Sequence, residues 1–295
     1  MKKKVLVTGG QGMLAHSLIP VLLDAGFETV GIDIQEANIS DKTAIFKEIL
    51  RHSPDFVVHA AAMTAVDACE EKREMAMAIN FQGTANVAEA AESVKAPIIY
   101  ISTDYVFNGK KETPYLEDDP IDPISVYGHS KAMGEQAVAE LNSRNFIVRT
   151  AWLYGSNGKN FVDTIIRLAS EREELKVVSD QYGSPTYTGH LSLAIARIVS
   201  AYFNENAREF GIFHATNSGR CSWFEFAKAI VERIGNKKVK RIIPIDTAEL
   251  MRTMNYKAPR PAHSVLSNKK TQDIYGVFLQ PWEIGLDEYM RVRQL

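Results

Sequence analysis

Short apolar runs alternate with helical patterns through the first half of this 295-residue chain. The predicted strands are 4–8, 28–34, 55–62, 97–103 and 146–150, and the helices between them are 13–25, 43–51, 73–94 and 125–141. Strands that are apolar on both faces and separated by helices are typical of a parallel sheet covered on both sides. The sequence therefore predicts an α/β fold with a doubly wound parallel sheet of the Rossmann type, whose ligand binds beyond the carboxyl ends of the strands.

The pattern becomes less regular after residue 153, where we predict strands at 176–179 and 211–215 and helices at 160–172, 190–203, 222–234 and 281–291. We expect a dinucleotide-binding domain over 1–153 and a smaller α/β substrate-binding lobe over 154–295, with some segments returning to the first domain. Three aromatic residues at helical spacing, Trp223, Phe224 and Phe226, are expected in the core of the smaller lobe rather than on a base-stacking surface.

Composition excludes several classes of protein. The chain has 34 basic and 36 acidic residues and a net charge of -2, so it lacks the basic surface of a nucleic-acid binder. No apolar run approaches the length that crosses a bilayer. Only Cys69 and Cys221 are present, and no HxxxH or HExxH pattern appears, so we expect neither a disulfide framework nor a metal site. The sequence predicts a cytoplasmic protein with a small-molecule ligand.

A glycine-rich turn connects the first predicted strand to the first predicted helix, as Thr8-Gly9-Gly10-Gln11-Gly12-Met13. Gly9 and Gly12 allow the backbone to approach a pyrophosphate, and the N–H groups of the helix face its charge. Asp33 stands at the end of the second strand, where a carboxylate can accept hydrogen bonds from the adenosine ribose hydroxyls. Because no Lys or Arg occupies positions 35–38, this arrangement favours NADH over NADPH.

Tyr127 and Lys131 lie four residues apart in a predicted helix, so both side chains project from one face. A protonated Lys beside a phenol lowers the phenol pKa, which makes the Tyr a usable acid–base group near neutrality. Thr103 ends the fourth predicted strand, at the same crevice, where its hydroxyl can bond a substrate carbonyl oxygen. The alternative is a structural i,i+4 pair with a Thr that satisfies the end of a strand.

These motifs resemble those of the extended short-chain dehydrogenase/reductase superfamily. The similarity is strongest to its dTDP-4-dehydrorhamnose reductase family and extends over nearly the whole chain. The runs that carry this resemblance include Ala60-Ala61-Ala62-Met63-Thr64-Ala65-Val66-Asp67, Ser102-Thr103-Asp104-Tyr105-Val106-Phe107, Val126-Tyr127-Gly128, Asp180-Gln181-Tyr182-Gly183-Ser184-Pro185-Thr186 and Arg260-Pro261.

The resemblance implies hydride transfer from NADPH or NADH to the C4 keto group of dTDP-4-dehydro-L-rhamnose, which forms dTDP-L-rhamnose in the last step of its synthesis. Tyr127 would donate the proton and Thr103 would polarise the carbonyl. Lys131 would bind the nicotinamide ribose and lower the Tyr127 pKa. The smaller lobe would then bind the sugar nucleotide.

The same resemblance implies which further residues contact each ligand. The cofactor would be bound by Gly9, Gly12, Met13, Asp33, Ala60, Ala61, Ala62, Asn80, Ser102, Tyr127 and Lys131. The substrate would be bound by Val66, Asp67, Thr103, Asp104, Tyr105, Tyr127, Trp152, Asn160 and Arg260. Some family members join subunits through acidic residues and a metal. The matching stretches here read His16-Ser17 and Gly189-His190, so we expect a monomer or weak homodimer.

Two other functions are consistent with parts of the sequence. A sugar-nucleotide dehydratase or epimerase would share the fold, but dehydratases follow the Thr-Asp pair with Glu, and here Tyr105 stands at that position. A regulatory subunit similar to the β-subunit of methionine adenosyltransferase would bind the dinucleotide without turnover. The intact set of Thr103, Tyr127 and Lys131 favours an enzyme.

Overall fold

The computed structural model describes residues 2–205, 208–235, 237–253 and 256–293. Its strands are β1 Lys4–Thr8, β2 Glu28–Ile32, β3 Phe56–His59, β4 Ile98–Thr103, β5 Asn145–Thr150, β6 Leu153–Tyr154, β7 Glu174–Val178, β8 Tyr182–Gly183, β9 Thr186–Tyr187, β10 Gly211–His214, β11 Cys221–Ser222 and β12 Arg241–Ile245. Its helices are α1 Met13–Asp24, α2 Lys42–His52, α3 Val66–Glu71, α4 Arg73–Met77, α5 Thr84–Ser93, α6 Val126–Leu141, α7 Phe161–Glu171, α8 Thr188–Asn204, α9 Trp223–Arg233, α10 Thr247–Thr253, α11 Lys269–Tyr275 and α12 Trp282–Val292.

Six parallel strands form the central sheet in the order β2-β1-β3-β4-β5-β10. The chain runs from β1 to β2 in one direction and then crosses back to β3, so the strand order reverses between β1 and β3. Ligands of doubly wound sheets bind beyond the strand ends at such a reversal. The predicted doubly wound parallel sheet is confirmed.

Helices cover both faces of this sheet because the strands are apolar on both sides. On one face α1 and α8 pack through buried Leu, Ile and Val side chains, and on the other α2, α5 and α6 do the same. Helix α8 packs against α1, and α11 packs against β10. Helix α8, strand β10 and helix α11 therefore return to the larger sheet, which β10 extends by one strand.

The smaller lobe has its own core, built by α7, α9 and α12 against β7. Strand β7 pairs in parallel with β12, a strand that the sequence pattern did not predict. Pro244 lies inside β12, and proline normally argues against a strand because it has no N–H to donate. It is tolerated here because the sheet has only two strands and both are edges.

Two departures from regular structure lie close to the crevice. The helix predicted over 73–94 is continuous in space, but its middle turn, Ala78–Gly83, is π-helical. A short 3₁₀ turn, Asp104–Val106, follows β4 directly. Both kinds of turn redirect side chains relative to an α-helix, and π turns are frequent near functional sites. Within the described ranges, no helix is long and apolar enough to cross a membrane.

Candidate active site

A cavity of about 670 Å³ lies at the carboxyl ends of β1, β3 and β4, between the larger sheet and the smaller lobe. This is where the strand order predicts a ligand. The wall brings together most of the predicted site residues: Gly9, Gly12, Met13, Ala60, Ala62, Val66, Ser102, Thr103, Asp104, Tyr105, Tyr127, Lys131, Trp152 and Arg260.

The glycine-rich turn forms one end of the cavity. Gly9 has a φ of 69°, and a Cβ at this position would lie 2.9 Å from the Ala61 nitrogen, so only glycine fits there. The Gly12 N–H donates to the Gly9 carbonyl oxygen (2.8 Å), and Gly12 is the N-cap of α1. This close backbone and the N-terminus of α1 form the cradle that a dinucleotide pyrophosphate requires.

Asp33 holds this turn to the end of β2. One carboxylate oxygen accepts a hydrogen bond from the Gln11 N–H (2.9 Å), and the other accepts from Ile34 N–H (2.8 Å). The Glu36 carboxylate in turn accepts from the Asp33 N–H (2.8 Å). Two acidic side chains therefore lie at the exposed end of β2, outside the main cavity wall.

His59 lies beneath the turn and is completely buried. Its ring nitrogens lie 2.7 Å from the Thr8 hydroxyl and 3.0 Å from the Thr84 hydroxyl, so the ring connects β1, β3 and α5. Burial lowers the pKa of His59 to about 3, and the nearby Lys131 charge acts in the same direction. His59 therefore supports the turn as a neutral group.

Acid should destabilise the fold through this buried histidine and through His214, whose pKa burial also lowers to about 3. An unfolded histidine titrates near pH 6.5. The folded state is therefore fully stable above that pH, where the histidines are neutral in both states, and it loses stability as the pH falls towards 3. We expect the free energy of unfolding to fall by roughly 2 kcal/mol per histidine between pH 7 and pH 5. Urea unfolding of His59→Asn and His214→Asn at both pH values measures this change in free energy. His16→Asn, at an exposed position of α1, is the control. If both variants lost as much free energy of unfolding between pH 7 and pH 5 as the wild type does, the expectation would be contradicted.

Lys131 lies deep in the wall and is only 2% exposed. Its Nζ donates to the Ile101 carbonyl oxygen (2.8 Å) and lies 4.0 Å from the centre of the Tyr100 ring. Burial lowers the pKa of Lys131 to about 7, while the Glu135 carboxylate opposes that change. The lysine therefore changes its charge readily near neutral pH, and a negative group in the cavity would favour its protonated form.

Tyr127 occupies the first turn of α6, which the Ser125 hydroxyl caps by accepting from Gly128 N–H (3.1 Å). Burial raises the pKa of Tyr127, and the nearby Thr103 hydroxyl partly opposes this effect. The expected lowering of the Tyr127 pKa by Lys131 is therefore not found, because burial dominates and the Lys131 ammonium bonds a backbone carbonyl. Without ligand the phenol therefore stays protonated, which is the form that a proton donor must have before the reaction.

Thr103 and Asp104 form a buried pair where β4 ends. The Thr103 hydroxyl donates to one Asp104 carboxylate oxygen (3.0 Å) and accepts from the Tyr105 N–H (3.2 Å). Burial raises the pKa of Asp104 to about 6, although hydrogen bonds from Ser264 and Thr103 oppose the change. The Thr103 hydroxyl thus lies beside Tyr127 with its oxygen fixed from two sides.

A buried ion pair joins β5 to α6, and its carboxylate also accepts a hydrogen bond from β4. Arg149 donates to both oxygens of Glu135 (2.9 and 2.7 Å), and the Ser102 hydroxyl donates to the same carboxylate (2.5 Å). Sequence reasoning assigned no role to Glu135 or Arg149. The available signal was an arginine inside the apolar run of β5, since a buried charge requires a partner.

Two tryptophans form the opposite side of the cavity. Trp152 has a φ of 46°, in the left-handed region, and its ring stacks on Trp223 with 3.5 Å between centroids. Phe226 is completely buried in the smaller lobe, as predicted, but Trp223 lines the cavity. Trp223 packs against the core of the smaller lobe, as expected, and it also reaches the cavity because α9 places its first turn against the Trp152 ring.

Five predicted site residues do not line the cavity: Asp33, Ala61, Asp67, Asn80 and Asn160. Asn80 holds the backbone of Met63 from the π-helical turn, accepting from its N–H (2.8 Å) and donating to its carbonyl oxygen (3.0 Å). Asp67 forms an ion pair with Arg260 (2.7 Å) and accepts from the N–H groups of Lys257 and Ala258. These two residues position the wall around the ligand space.

Asn160 is also engaged by the protein itself. Its Oδ1 accepts from Asp163 N–H (2.9 Å) and so caps α7, while its Nδ2 donates to the carbonyl oxygens of Gly155 (2.9 Å) and Gly158 (3.2 Å). The neighbouring Lys159 lines the cavity instead. Sequence reasoning missed Lys159 because an exposed lysine in a loop gives no signal of its own.

Comparison with known proteins identifies the family. The family model described as the RmlD substrate binding domain matches residues 2–294. The chain belongs to this family. The spore coat polysaccharide biosynthesis protein SpsK of Bacillus subtilis is 41% identical over 98% of this chain and 98% of its own length. The dTDP-4-dehydrorhamnose reductase of Aggregatibacter actinomycetemcomitans is 37% identical over 96% of this chain and 97% of its own.

Solved structures of the RmlD family agree with this assignment. The crystal structure of dTDP-4-dehydrorhamnose reductase from Bacillus anthracis in complex with NADP superposes with a TM-score of 0.91 at 38% identity. The alignment covers 99% of this chain and 100% of that one. The similarity thus includes the whole cavity and both lobes around it.

Proposed function

We propose that the protein reduces the C4 keto group of dTDP-4-dehydro-L-rhamnose with NADPH or NADH, which yields dTDP-L-rhamnose. The observation that carries this proposal is the placement of Thr103, Tyr127 and Lys131 in the wall of the cavity that begins at the glycine-rich turn. The full-length similarity to dTDP-4-dehydrorhamnose reductases supports the same reaction.

The groups of the cavity suit this chemistry. A bound reduced nicotinamide supplies the hydride to C4. As negative charge develops on the carbonyl oxygen, the Tyr127 hydroxyl transfers its proton to that oxygen, and Thr103 offers a second hydroxyl in the same wall. Lys131, one turn further along the same helix and in the same wall, would hold the nicotinamide ribose. The products are an alcohol and an oxidised cofactor.

Turnover with the authentic sugar nucleotide tests this proposal. Purified protein should oxidise NADPH or NADH only when dTDP-4-dehydro-L-rhamnose is added, as followed by the loss of absorbance of the reduced nicotinamide. NMR of the product should show the rhamno configuration at C4. Cofactor binding without turnover would contradict the reductase and favour a regulatory subunit. The named relatives give no support to that alternative.

Asp33 should bias the choice between the two cofactors. Its carboxylate and that of Glu36 lie at the end of β2, where the 2′-phosphate of NADPH would meet negative charge. Asp33→Asn should raise the ratio of kcat/KM for NADPH to that for NADH by about tenfold, since one close repulsive contact is removed. The exposed Asp24→Asn serves as the control, and an unchanged ratio in Asp33→Asn would exclude this role.

We infer further that the enzyme acts in the cytoplasm on a small nucleotide sugar, as a monomer or weak homodimer. Both cysteines are free and buried, which suits a reducing compartment. Sedimentation at several protein concentrations distinguishes the two assembly states.

A further inference from the structure

Cations outnumber carboxylates among the side chains of the cavity wall. Its lining includes the five cations Lys131, Lys159, Arg172, Lys176 and Arg260, but only one carboxylate, that of Asp104. Burial raises the pKa of Asp104 to about 6, so even this group carries reduced charge near neutral pH. Such a wall favours a ligand with several negative charges, and a diphosphate-bridged nucleotide is of this class.

Three of these cations already have protein partners. Arg260 forms an ion pair with Asp67 (2.7 Å), and Lys176 forms one with Glu249 (2.8 Å). Lys131 donates to the Ile101 carbonyl oxygen (2.8 Å). Within the described part of the chain, Lys159 and Arg172 have no ion pair with an acidic side chain. Their charge is therefore available to a ligand.

Lys159 lies in a loop whose conformation is fixed from both sides. We call residues 155–160 the bridging loop, because it joins β6 to α7 while touching the glycine-rich turn. Asn157 Nδ2 donates to the Gln11 carbonyl oxygen (3.0 Å), and a Cβ on Gly158 would lie 2.9 Å from the Met13 Cβ. Asn160 then closes the loop and caps α7. These contacts hold the Lys159 backbone between the cofactor turn and the smaller lobe.

Arg172 lies at the other end of the cavity. It follows α7, whose 11 residues extend over about 16 Å, so the two unpaired cations are well separated. Lys159 lies at the border between the glycine-rich turn and the smaller lobe, since its loop touches that turn and α1 and continues into α7. A nucleotide sugar that binds against the smaller lobe with its sugar at Tyr127 would bring its diphosphate into the same cavity. Lys159 is thus the cation suited to the diphosphate.

We propose that Lys159 binds a phosphate of a diphosphate-bridged nucleotide, and that the sugar nucleotide is the source of that phosphate. This inference rests on the proposed function for the identity of the ligand. The cofactor pyrophosphate already has the glycine-rich turn and the N-terminus of α1 as its partners. The diphosphate of the sugar nucleotide requires a separate cation, and Lys159 on its fixed loop provides one.

The test compares Lys159→Met with Lys159→Arg. Methionine keeps an unbranched stem without the charge, whereas arginine keeps the charge. We expect Lys159→Met to weaken dTDP binding by about tenfold or more, as measured by calorimetry, and to raise KM for the sugar nucleotide with kcat within about threefold. Lys159→Arg should recover most of the affinity. Lys228→Met, on the exposed side of α9, is the matched control and should bind dTDP as the wild type does.

Two binding measurements, one with dTDP and one with NADPH, distinguish the source of the phosphate. NADPH affinity is measured for the same variants, and a selective loss there would assign Lys159 to the cofactor pyrophosphate instead of the sugar nucleotide. Wild-type affinity of Lys159→Met for both dTDP and NADPH would overturn the proposal. If the wild type binds NADPH but does not turn over the sugar nucleotide, the proposed function fails, and the NADPH arm still decides whether Lys159 binds phosphate.

Discussion

Tyr127→Phe should lower kcat by about 10²–10⁴-fold, since this range is the usual contribution of a positioned general acid. The variant loses only the hydroxyl that transfers the proton, while the ring keeps its packing against Tyr105, at 5.5 Å between centroids. Cofactor affinity should change by less than about twofold, because the ring still fills the wall. Steady-state turnover and NADPH titration of the same preparation measure both quantities.

The control for this variant is Tyr202→Phe, which removes a hydroxyl from the core beneath the larger sheet, on α8. It should retain near wild-type kcat. A rate for Tyr127→Phe close to that of the wild type would remove Tyr127 from the proton-transfer step. Loss of NADPH binding together with activity would show a structural effect instead.

Arg149→Met should destabilise the fold by about 3–5 kcal/mol, because it leaves the Glu135 carboxylate buried without its cation. Both side chains are almost completely buried, at 2% and 5% exposure, so water cannot replace the lost partner. The same carboxylate accepts from the Ser102 hydroxyl, so the end of β4 should become less rigid as well. Urea unfolding monitored by circular dichroism gives the change in free energy.

A surface pair provides the comparison for Arg149. Arg167 and Glu171 form an ion pair of similar length (2.9 Å) on the exposed face of α7, and Arg167→Met should cost less than about 1 kcal/mol. Replacing both buried partners, as Arg149→Met with Glu135→Leu, should recover much of the stability because no unpaired charge remains. If Arg149→Met were as mild as Arg167→Met, the buried pair would not hold β5 to α6.

The parts of the site that lie on local sequence patterns were predicted correctly in position. The glycine-rich turn follows β1, Thr103 ends β4, and Tyr127 and Lys131 share one face of α6. These placements follow from periodicity and from the rule that parallel strands end at the same edge of a sheet. They needed no knowledge of how distant segments pack.

The chemistry of those residues depended on packing. The spacing of Tyr127 and Lys131 predicted a lowered tyrosine pKa, but burial raises it. Packing also gave Asn160, predicted at the substrate, the role of capping α7, and it placed the neighbouring Lys159 in the cavity lining. Burial and side-chain direction are set by neighbours from other elements, which a local pattern does not contain.

The sequence by itself determined the class of fold, the order of strands and helices in the first half, and the crevice that Thr103, Tyr127 and Lys131 line. Tertiary structure alone decided that α8, β10 and α11 return to the larger sheet, that Arg149 pairs with Glu135, and that Trp223 faces Trp152. The physical reason is the separation along the chain over which each interaction acts. Hydrophobic periodicity and turn chemistry act over a few residues, whereas the burial of charge and the stacking of rings join segments far apart in the chain.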